Sequence, residues 1–174
     1  MKLTSIQVGL TTKLNYNGLE VETGIFKNPV QGPVMLNFLN LAGDKQADLR
    51  VHGGRDKAVY AYSLNTYNEW RKLRPQDTFG PGSMGENFTI DNMNESNIFV
   101  GDTFKIGDAV IQVSEPRFPC QKLALKFNDP AILKQFIRLN RCGVYFRVLN
   151  EGYVPVNSSL QLIDQEEVRF SISE

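Results

Sequence analysis

Short runs in which hydrophobic and polar residues alternate make up most of the chain, and they predict a fold built mainly from β-strands. Each run is bounded by Gly, Pro, Asn or Asp, which favour turns. Glycine-containing turns within GDTFKIGDAVIQVSEP and RVLNEGYV predict two hairpins. The predicted strands cover residues 3–10, 24–29, 34–39, 59–62, 87–90, 102–106, 109–114, 143–149 and 160–163.

Two segments follow a helical pattern instead. Ser63 is suited to cap a helix over LNTYNEWR, where apolar residues recur every three positions. Asp129 and Pro130, a capping residue and a first-turn proline, open the amphipathic segment AILKQFIRLNRC, with Gly143 as its C-terminal stop. Many short strands, glycine turns and a few short helices predict a mainly β, barrel-like domain, with a two-sheet sandwich as the alternative.

Composition narrows the function classes. The 174 residues fit a single domain over 1–174, with no repeat or linker to divide it. The 19 basic and 19 acidic residues cancel, which argues against nucleic-acid binding and against a polybasic membrane surface. The sequence has no signal-peptide pattern and no apolar run of membrane-spanning length, and two cysteines make no disulfide framework. These features predict a cytoplasmic protein with reduced thiols.

Cys120 lies in the segment SEPRFPCQKL, which holds two prolines and an arginine. Pro116 and Pro119 restrict the backbone to extended geometry, so the segment is predicted to present Arg117 and Cys120 at a constrained separation. A nearby guanidinium favours the thiolate, the form that attacks or binds metal. The alternative is an inert, buried thiol, which is the interpretation we give to Cys142.

Three further groups of residues are candidates for binding. His52, the single histidine, precedes a glycine pair suited to an anion-binding backbone nest, although a plain charged loop gives the same pattern. Glu86 and Asn87 offer acceptors and a donor for the edge of a heterocycle, or satisfy a turn and solvent instead. Tyr145 and Arg147 share one strand face and suit a phosphate or a ring, or simply face solvent. The residues beside His52 are Gly53 and Gly54, with Arg50, Arg55 and Lys57 adding positive charge.

Together these residues suit a phosphorylated, heterocyclic, metal-bearing cofactor. A zinc site is poorly supported because the paired Cys or His spacing that zinc favours is missing. A serine hydrolase is poorly supported because the sequence has no Gly-x-Ser-x-Gly elbow. A dithiol redox protein is poorly supported because no resolving Cys-x-x-Cys accompanies Cys120.

The motifs, in this order, resemble the MOSC domain, which is found at the C-terminus of molybdenum cofactor sulfurases, in amidoxime reductases and in stand-alone bacterial YiiM-like proteins. The resemblance covers about residues 43–152 and rests on QADLRVHGGRDKAVYAYS, YNEW, MGENFTI, IFVGDTFKIGDAVIQVSEPRFPCQKL and GVYFRVLNEG. It implies a β-barrel-like fold that binds the molybdenum cofactor, with Cys120 as the catalytic residue and the metal ligand. The residues that the resemblance assigns to cofactor binding are His52, Gly53, Gly54, Arg55, Lys57, Glu86, Asn87, Arg117, Tyr145 and Arg147.

The resemblance also implies a function. In the resembling reductases, electrons from a flavoprotein partner drive cleavage of the N–O bond in N-hydroxylated bases or related compounds. No pyridoxal phosphate is expected to be bound by this chain alone, because the sulfurase domain that uses it has no counterpart here. Longer YiiM-like proteins carry an additional C-terminal helical segment. The alternative is a module that binds or carries the cofactor, or its sulfur, without turnover.

Overall fold

The computed structural model of the protein describes residues 1–16, 18–49 and 52–173, so Arg50 lies outside the described residues. The fold is mainly β, with 36% strand and 18% helix, which confirms the predicted class. The helices are α1 (Thr66–Leu73), α2 (Gln121–Phe127) and α3 (Ala131–Leu139). The strands are β1 (Lys2–Val8), β2 (Thr12–Tyr16), β3 (Leu19–Thr23), β4 (Asn28–Pro29), β5 (Val34–Leu36), β6 (Val59–Ser63), β7 (Phe88–Asp91), β8 (Thr103–Ile106), β9 (Ala109–Pro116), β10 (Val144–Asn150), β11 (Gly152–Val154) and β12 (Gln161–Asp164).

One eight-stranded sheet, in the order β12-β8-β9-β10-β6-β7-β1-β4, forms the body of the fold. It curls into a half-barrel and stays open, because β12 and β4 are its two edges. Neighbouring strands pair antiparallel, except that β6 and β7 run parallel. Two small antiparallel pairs, β2 with β3 and β5 with β11, complete the described sheets. The barrel-like prediction is therefore confirmed in an open form.

Strand β10 separates the two buried clusters of the protein. Val144, Phe146 and Val148 point into a larger aliphatic core on one face of the sheet. Tyr145 points into a second, aromatic-rich cluster, where Trp70 is fully buried. This arrangement follows from the alternation of side chains along a strand, as the sequence predicted.

The second predicted hairpin is wrong, because β11 pairs with β5 and not with β10. Only Glu151 separates β10 from β11, which is too short for a two-residue hairpin turn. Gly152 instead lets the chain cross β9 closely, since a Cβ there would lie 2.5 Å from the Asp108 carbonyl carbon. The sequence analysis also missed the β2–β3 hairpin and helix α2.

Two predicted helix boundaries are also wrong. Ser63 belongs to β6 and donates a hydrogen bond to the Met93 carbonyl, while α1 begins after Asn65. Helix α3 ends at Leu139, and its stop is the following Asn140 in the left-handed conformation (φ 50°), not Gly143 as expected. The start of α3 is as predicted, because Asp129 Oδ1 accepts a hydrogen bond from the backbone N–H of Ala131 at 2.8 Å. Within the described residues, every helix is too short or too polar to cross a membrane.

Candidate functional site

A cavity with about 530 Å³ of empty volume, partly open to solvent, lies beside Cys120. Basic side chains outnumber acidic ones among the described residues that line it, with Asp44 as the one carboxylate. The basic residues of the lining are Lys27, Lys45, Lys57, Lys122, Arg117 and His52.

The local sequence explains how Cys120 reaches this cavity. Strand β9 ends at Pro116, and residues 117–120 stay outside helices and strands up to the start of α2. Cys120 has extended backbone angles (φ −126°, ψ 168°) and directly precedes the first turn of α2. The prolines hold the chain extended, and the helix then fixes the position of the cysteine.

The Cys120 thiol is activated by its surroundings. Burial alone would raise its pKa, but a hydrogen bond from His52 and the positive charge of Arg117 outweigh burial and lower the pKa to about 6. The thiolate is therefore the main form at neutral pH. His52 lies far from Cys120 in sequence, yet both line the same cavity together with Arg117.

Cys142 has the opposite environment. Burial raises the pKa of its thiol to about 11, and the nearby carboxylate of Glu95 adds to the shift. Its side chain packs against both buried clusters. The protein thus holds one activated cysteine and one that stays protonated at neutral pH.

Alkylation should distinguish the two cysteines. In the apo protein at pH 7, iodoacetamide should modify Cys120 first, because pKa values of about 6 and about 11 give thiolate fractions that differ by roughly 10³–10⁴. The alkylation rate of Cys120 should fall as the pH is lowered through about 6. In the unfolded protein, the same fall should have its midpoint at about 8.5. Peptide mapping identifies the modified cysteine, with Cys120→Ser as the control. Preferential labelling of Cys142 would contradict the assignment.

Arg117 is a buried cation with unsatisfied hydrogen-bonding capacity. Its side chain donates a hydrogen bond to the Met84 carbonyl, and its guanidinium carbon lies 4.3 Å from the centroid of the Tyr60 ring. Its Nε has no hydrogen-bond partner among the described residues. Although burial would lower the pKa of Arg117, the neighbouring Tyr60, Tyr145 and Cys120 raise it, so it stays charged. A buried cation with a free donor suits an anionic ligand.

A hydrogen-bonded network around Asp44, which the sequence analysis missed, also lines the cavity. The Asp44 carboxylate pairs with Lys27 and accepts hydrogen bonds from the Gly9 N–H and from Asn87 Nδ2, each at 2.9 Å. Asn87 also donates to the Gln7 carbonyl and accepts from the Tyr60 N–H, both at 3.2 Å. Asn87 therefore lines the cavity as a fixed part of its wall. No motif marks Lys27 or Asp44 in the sequence, because their pairing depends on the fold.

Glu86 lies outside the cavity lining, although its neighbour Asn87 lines it. Its carboxylate is fully buried and accepts hydrogen bonds from the Tyr67 hydroxyl, the Thr89 hydroxyl and the N–H groups of Gly82 and Met84. These bonds fold the glycine-rich loop before β7. The structure thus gives Glu86 a role in holding the loop that sequence reasoning did not foresee.

The remaining predicted residues divide into two groups. Tyr145 and Lys57 line the cavity, and Lys57 Nζ lies 5.9 Å from the centroid of the Tyr145 ring. The cavity lining excludes Gly53, Gly54, Arg55 and Arg147. The Arg55 guanidinium lies 5.9 Å from the Phe38 ring, and Arg147 forms an ion pair with Asp56 at 2.8 Å. Gly54 has a φ of 89° where a short 3-10 turn begins. Contact of these four residues with a cofactor stays a prediction.

The described side chains do not supply enough ligands to hold a metal ion by themselves. Across the described residues, no group of three or more His, Cys, Asp or Glu side chains is placed to hold a metal ion. The cavity offers one soft thiolate, Cys120, with His52 beside it. Such a site fits a metal that brings most of its ligands with it.

A family comparison decides the identity of the fold. The profile of the MOSC domain matches residues 48–161, which include every predicted site residue. The chain belongs to the MOSC domain family. In this MOSC domain, the cysteine, the histidine and the arginine of the cavity all lie within the matched region.

This MOSC domain is similar to two proteins over most of their length and to a segment of a third. The YflK protein of Bacillus subtilis is 41% identical over 97% of this chain and 76% of its own length. A protein of Gibberella moniliformis named "Reductase" is 36% identical over 89% of this chain, but the match covers only 28% of that protein. The crystal structure of YiiM from Geobacillus stearothermophilus matches with a TM-score of 0.80 and 32% identity, over 98% of this chain and 79% of that one.

Proposed function

We propose that this MOSC domain binds the molybdenum cofactor in the cavity and reduces N-hydroxylated bases or related N-oxygenated compounds with electrons from a flavoprotein partner. The observation that carries the proposal is the activated Cys120 thiolate inside a cation-lined cavity, beside the buried Arg117. The role would be detoxification in the cytoplasm, where thiols stay reduced.

The charge of the cavity lining fits the proposed cofactor. A pterin cofactor carries a phosphate, and the cavity lining holds six basic residues against the single carboxylate of Asp44. Asp44 is paired with Lys27, and Lys57 pairs with Glu115 outside the lining, which leaves Arg117, Lys45 and Lys122 without a carboxylate among the described lining residues. The unpartnered Nε of Arg117 gives the ligand a buried hydrogen-bond donor. The excess positive charge favours a polyanionic ligand.

The residues also fit in their donor chemistry. Cys120 would supply one soft thiolate to molybdenum, while the pterin brings the other sulfur ligands. When bound, the molybdenum supplies two-electron redox chemistry that no side chain of the protein offers. His52 would keep the Cys120 sulfur deprotonated, through the same hydrogen bond that lowers the pKa of the thiol. Tyr60 and Tyr145 would form an aromatic wall, with their rings 5.3 Å apart.

The relatives support a reductase over a carrier. The Gibberella protein is named a reductase, and the segment that resembles this chain is 28% of it. A flavoprotein is proposed as the electron donor of this protein. A carrier without turnover is the alternative that the experiment must distinguish.

Protein purified from a host that makes the molybdenum cofactor should reduce N-hydroxylated purines and amidoximes to the corresponding amines and amidines. A flavoprotein reductase serves as the physiological electron source, and reduced methyl viologen supplies electrons without depending on a particular partner. Product is quantified by chromatography, with protein from a cofactor-deficient host as the control. Loaded protein that is inactive with both electron sources would contradict the reductase proposal and support the carrier.

A further inference from the structure

The proposed reaction needs protons as well as electrons, and this inference rests on that proposed function. Cleaving the N–O bond of an N-hydroxylated amine takes up two electrons and two protons and releases the amine and one water molecule. The flavoprotein partner supplies the electrons. A proton must reach the leaving hydroxyl oxygen, because hydroxide is a far poorer leaving group than water.

Lys27 is placed to give that proton. Its side chain is 7% exposed and lines the cavity, and its ammonium pairs with the Asp44 carboxylate, which is 1% exposed. Asp44 cannot turn away, because the Gly9 N–H and the Asn87 side chain hold its two oxygens. The ammonium is therefore fixed at the cavity wall by a carboxylate that is itself fixed.

The other proton-bearing groups of the cavity are less suited, and two of them, Lys45 and Lys122, are exposed or half-exposed, unlike the buried side chain of Lys27. His52 is engaged with the Cys120 sulfur, and burial raises the pKa of Tyr60 and Tyr145, so both phenols are poor acids. Lys57 is bound to Glu115 at 3.2 Å in a half-exposed pair. By contrast, burial lowers the pKa of Lys27, and Arg117 adds to the shift, although Asp44 and Glu86 oppose it.

We propose that Lys27 is the proton donor of this site and that Asp44 positions it. The ammonium gives its proton to the hydroxyl oxygen as the N–O bond breaks, which leaves a neutral amine on Lys27 and water as product. The second proton, taken up by the substrate nitrogen, comes from solvent. Lys27 also lines a second recess with Lys126, whose ammonium donates to the Gly82 carbonyl at 2.6 Å. The proton of Lys27 can be restored by solvent through that recess.

The first test uses the apo protein and needs no activity. NMR of the lysine side chains, with Lys27 assigned through Lys27→Arg, should give a pKa below the ordinary 10.5. Asp44→Asn should lower the pKa further, because the carboxylate favours the charged amine. The charged groups around Lys27 are Asp44, Glu86, Arg117 and Lys126. A Lys27 pKa at or above the ordinary value would overturn the proposal.

The second test uses loaded protein with reduced methyl viologen. Lys27→Arg keeps the charge but cannot release a proton at neutral pH, so kcat should fall roughly 10²–10⁴-fold with unchanged molybdenum content. Lys27→Ala should recover activity when small primary amines are added, with rates that depend on the pKa of the amine.

A donor must be protonated, so wild-type activity should fall as the pH rises through the Lys27 pKa. In Asp44→Asn, this fall in activity should occur at lower pH. Lys72→Met, which removes an exposed helix lysine, is the control.

The outcomes separate the proton donor from other roles. Full activity in Lys27→Arg, with the same fall in activity at high pH as in the wild type, would overturn the proposal. Loss of both molybdenum and activity in Lys27→Ala, without rescue by amines, would assign Lys27 to cofactor retention and also overturn it. If loaded wild-type protein is itself inactive, the proposed function fails, and the donor role fails with it.

Discussion

Replacement of Cys120 by serine should reduce the activity of the purified protein toward N-hydroxylated substrates to the level of cofactor-free protein. A serine hydroxyl is a hard, weak ligand that stays protonated at neutral pH, whereas the pKa of Cys120, about 6, makes the thiolate the main form. The two side chains are close in size, and Cys120 is half-buried, so the variant should keep the fold.

Cys142→Ser is the matched control for this variant. Cys142 packs between the two buried clusters and carries a thiol with a raised pKa, so its replacement should leave activity per bound molybdenum unchanged. Activity and urea denaturation are measured on the same preparations. Wild-type turnover in Cys120→Ser would show that the thiol is not part of the reactive site.

The largest loss of stability is expected from Glu86→Gln. The fully buried carboxylate accepts four hydrogen bonds, two of them from backbone N–H groups in the loop before β7. Oε1 accepts three of these bonds and Oε2 accepts the one from the Met84 N–H, so the amide N–H₂ of glutamine would face at least one buried donor. Leaving this donor unsatisfied, and removing the charge from the other three hydrogen bonds, should lower the free energy of unfolding by roughly 3 kcal/mol or more.

Urea denaturation at pH 7 measures this loss, with Glu20→Gln as the control. Glu20 has a side chain that is 65% exposed and pairs with Lys13 at the surface, so its replacement should cost less than about 0.5 kcal/mol. For a domain of this size, the loss in Glu86→Gln corresponds to a fall in Tm of roughly 6–12 °C. Equal stability of the two variants would contradict the role given to Glu86.

Local patterns in the sequence were sufficient for most strands and for Cys120. Alternation along β10 predicted which side chains face the aliphatic core, because strand geometry is a local property. The prolines around Arg117 act on their own neighbours, so the extended presentation of Cys120 could also be predicted from its segment. Helix α2 was missed because only seven residues form it, and just Leu123 and Ala124 of these are fully buried.

Features that depend on distant pairing could not be predicted. Lys27 and Asp44 look like ordinary surface charges in the sequence, and their burial requires the Asn87 side chain, 43 residues beyond Asp44. Glu86 and Asn87 were grouped as one binding pair, but adjacent residues in extended chain point to opposite sides. The structure accordingly separates them, with Asn87 in the cavity wall and Glu86 inside the loop. The partner of β11 is likewise set by tertiary packing and not by the intervening turn.

The central claim is that the cavity beside Cys120 holds the molybdenum cofactor, and metal analysis tests it most directly. Wild-type protein and Cys120→Ser are purified in parallel from a host that makes the cofactor. Molybdenum is measured by mass spectrometry, and pterin by the fluorescence of its oxidation product. The wild-type protein should retain both in a constant ratio to protein, and Cys120→Ser should lose the molybdenum. Wild-type protein free of both molybdenum and pterin would contradict the account.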